Sequence, residues 1–220
     1  MLLNIINQHI INTRTCTVII RQCSYFLRQP LYNELMIKAV IFDCFGVLMV
    51  DAITAYQDLH PEIASDLDDL DRQADAGFIS QAEQIEGYKK LTGDDEQTIV
   101  NYLRKEHRLN EPIVQMIKQL KVSYKVGMLS NIGAKWYQQL VPEDVRDLFD
   151  VTVLSHEIGM VKPYPEIFEY LIGQLGMQPN EVLFIDDILD NCEGARAVGI
   201  VAIHYTNFAA LKQNLQLYIK

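Results

Sequence analysis

Five short runs of apolar and β-branched residues recur along the chain, at residues 37–42, 124–129, 151–154, 182–185 and 200–203. Between and after them, apolar positions return at helical spacing and predict helices at 113–120, 134–140, 165–175, 191–198 and 208–218. Gly176 and Gly199 stand where the third and fourth of these helices should stop. Strands alternating with helices predict a doubly wound parallel α/β sheet, Rossmann-like, with right-handed crossovers. From Ala52 to about Glu111 the strand pattern disappears. Apolar residues there fall at Ile63, Leu67 and Leu70, then at Ile85, Tyr88 and Leu91, which predicts a small helical insertion directly after the first strand. Its acids, Asp66, Asp68, Asp69, Asp71 and Asp75, read as a solvated helix face.

Composition narrows the classes. The 220 residues suit one domain with a modest insertion. A hydrophobic content of 49% with 22% charged residues opposes intrinsic disorder. No run approaches the roughly 18–20 continuous apolar residues of a membrane span. The formal net charge of −10 opposes a nucleic-acid partner, which requires a clustered basic face. Any phosphate chemistry would therefore need a cation. Cys16, Cys23, Cys44 and Cys192 form no C-x-x-C pair, so a reducing, cytoplasmic compartment is expected. Residues 1–35 carry Arg14, Arg21 and Arg28 against one acid, Glu34. They lack the apolar stretch and cleavage site of a secretory signal, although an organellar transit peptide has a similar composition. The simpler reading, taken here, is an N-terminal extension outside the fold, either disordered or ahead of a true start at Met36.

In a sheet of this kind, ligands sit at the carboxyl ends of the strands. Asp43 follows the first strand, Ser130 the second, and Asp186 with Asp187 the fourth. Lys162 lies in Gly159-Met160-Val161-Lys162-Pro163, before a helix that Pro163 and Pro165 help to start. A carboxylate can attack phosphorus while serine and lysine hold the phosphoryl oxygens. The neighbouring acids would repel a phosphate unless Mg²⁺, which prefers a few carboxylates plus substrate oxygens, lay between them. Each feature alone is ordinary: a strand-terminal Asp often caps a turn, Ser130-Asn131 is a common turn pair, and Lys162 could be a solvated loop cation. Their ordered placement on strand ends is what resists coincidence.

Phe42-Asp43-Cys44-Phe45-Gly46-Val47-Leu48, Leu129-Ser130-Asn131, the Lys162 loop and Phe184-Ile185-Asp186-Asp187 resemble the four ordered motifs of the haloacid dehalogenase superfamily, over residues 37–205. Pro165-Glu166-Ile167-Phe168, Asn191 and Gly194-Ala195-Arg196 extend the likeness. Gly77-Phe78-Ile79-Ser80 is similar to a turn in the helical cap of the phosphatase-like members. The resemblance implies a catalytic core at 36–51 and 112–220, a cap at 52–111, and hydrolysis of a small phosphorylated metabolite. It implies that Asp43 is the nucleophile, that Ser130 hydrogen-bonds the transferring group, and that Lys162 neutralises this group and orients Asp43. Mg²⁺ would be held by Asp43, Asp186, Asp187 and the backbone carbonyl of Phe45. Asn131 and Gly46 would lie beside the substrate, with Asn191 in support. The glycine would leave the turn free to adopt the backbone angles it needs.

One position departs from the pattern. Family phosphatases carry a second aspartate two residues after the nucleophile, and here that residue is Phe45. A phenyl ring neither gives nor takes a proton, and acid–base help is typically worth about 10²–10⁴-fold. The expected enzyme is therefore a slow phosphatase, or one restricted to good leaving groups. Two alternatives stay open: a metal-independent 2-haloacid dehalogenase, because halide leaves unprotonated, and a non-catalytic binding protein. No membrane or nucleic-acid partner is expected, and the oligomeric state is unspecified. Cys44 should be a buried thiol turned away from Asp43 by strand alternation, and Cys192 a core residue. His156 could approach the crevice, and Trp136 could pack a helix or flank the site. Tyr56, Tyr88, Tyr102 and His107 could select substrate or pack the insertion.

Overall fold

The structure, a computed structural model, describes residues 36–219 other than 51, 76, 77 and 133. The extension at 1–35, Gly77 of the insertion turn and the side chain of Trp136 lie outside the described residues. Five strands, β1 (Ala39–Phe42), β2 (Lys125–Ser130), β3 (Val151–Leu154), β4 (Val182–Asp186) and β5 (Val201–His204), form one sheet in the order β3-β2-β1-β4-β5. Every pairing is parallel, as the alternation of strands and helices predicts. The chain winds outward from β1 through β2 to β3, then returns to the other side of β1 for β4 and β5. The reversal point, where such sheets bind ligands, falls between β1 and β4.

Strand alternation explains how the sheet is covered. Val40 and Phe42 face a cluster with Ile113 and Ile117 of α5 (Glu111–Leu120) and Leu211 of α11 (Phe208–Leu215). Ala39 and Ile41 face the other way, onto Ile167 and Leu171 of α9 (Pro165–Leu175) and Ala195 of α10 (Leu189–Ala197). A parallel sheet covered on both faces demands continuous apolar strands, and each fully buried Ile or Phe contributes about 1.5–3 kcal/mol. Helix α9 opens on Pro165, whose missing N–H would be unpaired there anyway, and closes on Gly176 in the left-handed conformation. Three short helical segments escape the periodicity: α7 (Glu143–Arg146), α8 (Ser155–Ile158) and the 3₁₀ turn Pro179–Glu181. The helix α6 (Ala134–Leu140) agrees with the prediction, whereas α11 stops three residues early.

Between β1 and α5 lie α1 (Ala52–Asp58), α2 (Ala64–Asp75), α3 (Gln81–Thr92) and α4 (Glu96–Glu106). They share their own apolar cluster, with Tyr56, Leu67, Tyr88, Ile99 and Leu103 inside it. The Tyr56 and Tyr88 rings stack with centroids 5.5 Å apart, and Tyr102 donates to the Ala55 carbonyl at 3.2 Å, so these tyrosines pack the insertion. One expectation is corrected. Asp71 does not belong to a solvated face: it is buried and accepts hydrogen bonds from Tyr88 Oη at 2.5 Å, Gln84 Nε2 at 2.6 Å and Gln57 Nε2 at 2.9 Å. The two connectors of the insertion run side by side. Val50 donates to the Arg108 carbonyl and Asn110 to the Leu48 carbonyl, each at 2.8 Å. Among the described residues, no helix is long and apolar enough to cross a membrane.

Candidate active site

The carboxyl edge of the sheet gathers the predicted residues. Asp43 leaves β1 with its N–H on the Ile185 carbonyl at 2.9 Å, Ser130 ends β2, and Asp186 ends β4. Asp43, Ser130, Lys162 and Asp186 are all buried. Lys162 reaches in from the loop before α9 and donates from Nζ to Asp43 Oδ1 and to Asp186 Oδ2, each at 2.6 Å. Asp43, Asp186 and Asp187 each present an oxygen within 4.8 Å of the others. These side chains are rigidly supported. Asn131 Nδ2 donates to the Lys162 carbonyl at 3.1 Å, and the Lys162 N–H returns to Asn131 Oδ1 at 2.9 Å. Asp186 accepts from Ile188 N at 2.8 Å and, on both oxygens, from Asn191 Nδ2 at 3.1 Å.

Burial dominates the electrostatics. It pushes the Asp43 carboxyl up to about 8, opposed by Lys162 and reinforced by Asp186. Burial alone would lower the Lys162 ammonium, but Asp186 and Asp43 outweigh it and hold its pKa above the ordinary range. With all three ionised, the carboxylates and one ammonium carry two net negative charges, Asp43 and Asp186 buried and Asp187 half-buried. A hard divalent cation with oxygen ligands balances that set, so the residues present fit Mg²⁺.

Gly46 has φ +78°, the freedom expected of it. A second constraint was invisible in the sequence: a Cβ at this position would fall 2.0 Å from Asp187 Oδ2. The β1 loop therefore passes against the carboxylate, and only glycine leaves room. Phe45 is half-buried, its ring edge-on to His107 at 5.0 Å between centroids. His204 Nε2 lies 2.8 Å from the Asp187 carbonyl, a contact that no spacing signals. His156 is exposed on α8. Burial, and next the Asp43 charge, pushes the Cys44 thiol well up; burial and then Asp186 push Cys192 to about 11. Both are inert core thiols. A surface cavity of about 500 Å³, edged by Pro165, Glu169, Ile172 and Pro179, offers one ionisable side chain and none of the site residues.

A model of the haloacid dehalogenase-like hydrolase family matches residues 37–199. Sesquiterpene phosphatase astK of Aspergillus oryzae is 30% identical over 189 residues, covering 81% of this chain and 95% of that protein. D-ribitol-5-phosphate phosphatase of Bacteroides thetaiotaomicron is 28% identical over 206 residues, covering 84% and 99%. The crystal structure of a HAD family enzyme from the same bacterium, in complex with magnesium and inorganic phosphate, aligns with a TM-score of 0.61 at 27% identity, covering 80% of this chain and 98% of that one. With the family match running from β1 past the end of α10, the chain belongs to the haloacid dehalogenase-like hydrolases.

Proposed function

We propose that this hydrolase is a magnesium-dependent phosphatase of small phosphomonoesters, working through an aspartyl-phosphate on Asp43. The observation that carries the reading is the buried Lys162 ammonium, 2.6 Å from both buried Asp43 and Asp186, with half-buried Asp187 beside them. The similarity to two phosphatases, and to a relative that binds magnesium and phosphate, supports it. Asp43, Asp186, Asp187 and the Phe45 carbonyl would hold the cation. When bound, Mg²⁺ offsets the negative charge that otherwise repels a phosphate.

The remaining work falls to the chain's own residues. A carboxylate oxygen of Asp43 attacks phosphorus, the bond from phosphorus to the alcohol oxygen breaks, and the electron pair leaves with that oxygen. Lys162 steadies the nucleophile and offsets charge on the transferring group, while Ser130 donates to a phosphoryl oxygen. The departing oxygen takes a proton from solvent; water then attacks phosphorus, its protons pass to the released phosphate, and the bond from phosphorus to Asp43 breaks with its electron pair restoring the carboxylate. Asn131 fixes the Lys162 backbone, Asn191 fixes Asp186, and Gly46 leaves space for Asp187. Phe45 supplies no proton to the departing alcohol, so turnover is slow unless that alcohol leaves easily. The insertion at 52–111 acts as a cap over the core formed by 36–51 and 112–220, its paired connectors serving as the hinge. The buried thiols Cys44 and Cys192 suit a reducing, cytoplasmic compartment.

Hydrolysis of p-nitrophenyl phosphate, an ester needing little acid help, tests the reading. Wild type should turn over with Mg²⁺ and not with chelator, and folded Asp43→Asn should lose about 10⁴-fold or more. Equal activity in the variant, or activity independent of metal, would overturn the assignment.

A further inference from the structure

Exposed apolar side chains are common on protein surfaces and signify little when scattered. Three of them in this protein are not scattered. Tyr164, 62% exposed, lies two residues beyond Lys162, and Ile188 and Leu189, 52% and 51% exposed, directly follow Asp187. Tyr164 precedes the first turn of α9, Ile188 precedes that of α10, and Leu189 opens α10. The two helices pack against each other. At Gly194 of α10 an added Cβ would fall 2.2 Å from the Pro163 carbonyl oxygen, so the Lys162 loop rests directly on that helix. Apolar side chains thus edge the same end of the sheet as the charged cluster. Leu59, Val122 and Leu217, also exposed, lie on segments that hold no site residue, and Val50, 45% exposed, follows the Gly46 turn.

We propose that Tyr164, Ile188 and Leu189 form an apolar rim that selects phosphomonoesters of apolar alcohols over those of sugars and polyols. The inference rests on the reading above, in which the charged cluster receives the phosphoryl group. A ligand that satisfies both regions joins a dianionic head to a hydrocarbon body. The hydroxyls of a polyol would gain nothing from Ile188 or Leu189, and its ester would leave both in water.

A series of n-alkyl phosphonates from ethyl to octyl tests this without turnover, because their phosphorus–carbon bond does not hydrolyse. Dissociation constants are measured by calorimetry on the full chain with Mg²⁺. Affinity should rise about two- to fourfold per added methylene until the rim is covered, the range expected for partial to full burial. In Tyr164→Ser/Leu189→Ser, both exposed positions, the octyl-to-ethyl ratio should collapse toward one. A flat series in wild type, no phosphonate binding at all, or an unchanged ratio in the double variant would each overturn the rim. Chain-length-dependent binding by a protein that leaves p-nitrophenyl phosphate intact would refute the phosphatase reading and uphold the rim.

Discussion

Gly46→Ala separates two demands that the structure places on one residue. The first is backbone conformation: at φ +78° a side chain meets the left-handed penalty of about 1–2 kcal/mol. A stiffer unfolded chain returns about 0.4–1 kcal/mol of that, leaving a net loss near 1 kcal/mol. The second is space, since the new Cβ would lie 2.0 Å from Asp187 Oδ2 and 2.4 Å from its Cγ. A carboxylate at the end of a rotatable side chain yields to such a collision, so the consequence is displacement of Asp187 rather than unfolding. Gly93→Ala is the matched control. Its φ is +79°, and nothing lies within 4 Å of an added Cβ. Both variants should melt about 2–4 °C below wild type by circular dichroism. Only Gly46→Ala should lose Mg²⁺ affinity, by about 10–100-fold, the usual effect of disturbing what holds a metal ligand in place. The assay is a Mg²⁺ titration, read by calorimetry and by p-nitrophenyl phosphate turnover. Equal Mg²⁺ affinity in the two variants would refute the close approach, and a far larger melting loss in Gly46→Ala would refute the yielding carboxylate.

Lys162→Met removes the ammonium that two buried carboxylates share, a type of loss that costs about 3–5 kcal/mol. Its melting point in chelator should fall by about 6–20 °C, with part of the loss recovered in Mg²⁺; a wild-type midpoint in chelator would contradict the pairing. Phe45→Asp should raise hydrolysis of alkyl phosphates, by up to about 10²–10⁴-fold, more than that of p-nitrophenyl phosphate, and equal gains on both would dismiss the missing proton as the cause. Asp71→Ala strands the Gln57, Gln84 and Tyr88 donors and should lower stability in urea by about 1–3 kcal/mol. A change below about 0.5 kcal/mol would mean that the acid is a surface group after all.

The strands could be read in advance because a sheet covered on both faces needs uninterrupted apolar runs, and 39–42 and 182–185 supply them. Strand order could not, since periodicity reports burial and not which neighbour a strand pairs with. The segments α7 and α8 are four residues each, too short to establish a period. Asp43, Ser130 and Asp186 could be anticipated as one site because each closes a parallel strand, and topology carries such residues to the same edge. What escaped depends on shape. Lys162 serves Asp186 as well as Asp43, the Gly46 backbone grazes Asp187, and His204 touches the Asp187 carbonyl, contacts fixed by how loops cross rather than by spacing. The burial of Asp71 escapes the sequence for the same reason. Two of its partners, Gln84 and Tyr88, come from α3, and the polar pattern of α2 alone reads as solvated.

Phe45 and the acidic pair pull the chemistry in opposite directions, and the charge of the cluster favours the phosphatase reading proposed above. A phenyl ring beside the nucleophile suits halide displacement, where the leaving group needs no proton. The displacement itself uses one carboxylate, and every further buried acid carries a desolvation penalty of several kcal/mol unless it is paired or protonated. Lys162 offers one positive charge to three carboxylates, with Asp186 fully buried. On the proposed reading a divalent cation gives every carboxylate a partner and offsets the charge of the phosphoryl group. On the proposed reading the two features act on different bonds. The carboxylates govern capture of the phosphoryl group, while Phe45, by withholding a proton, governs which alcohol can depart from it.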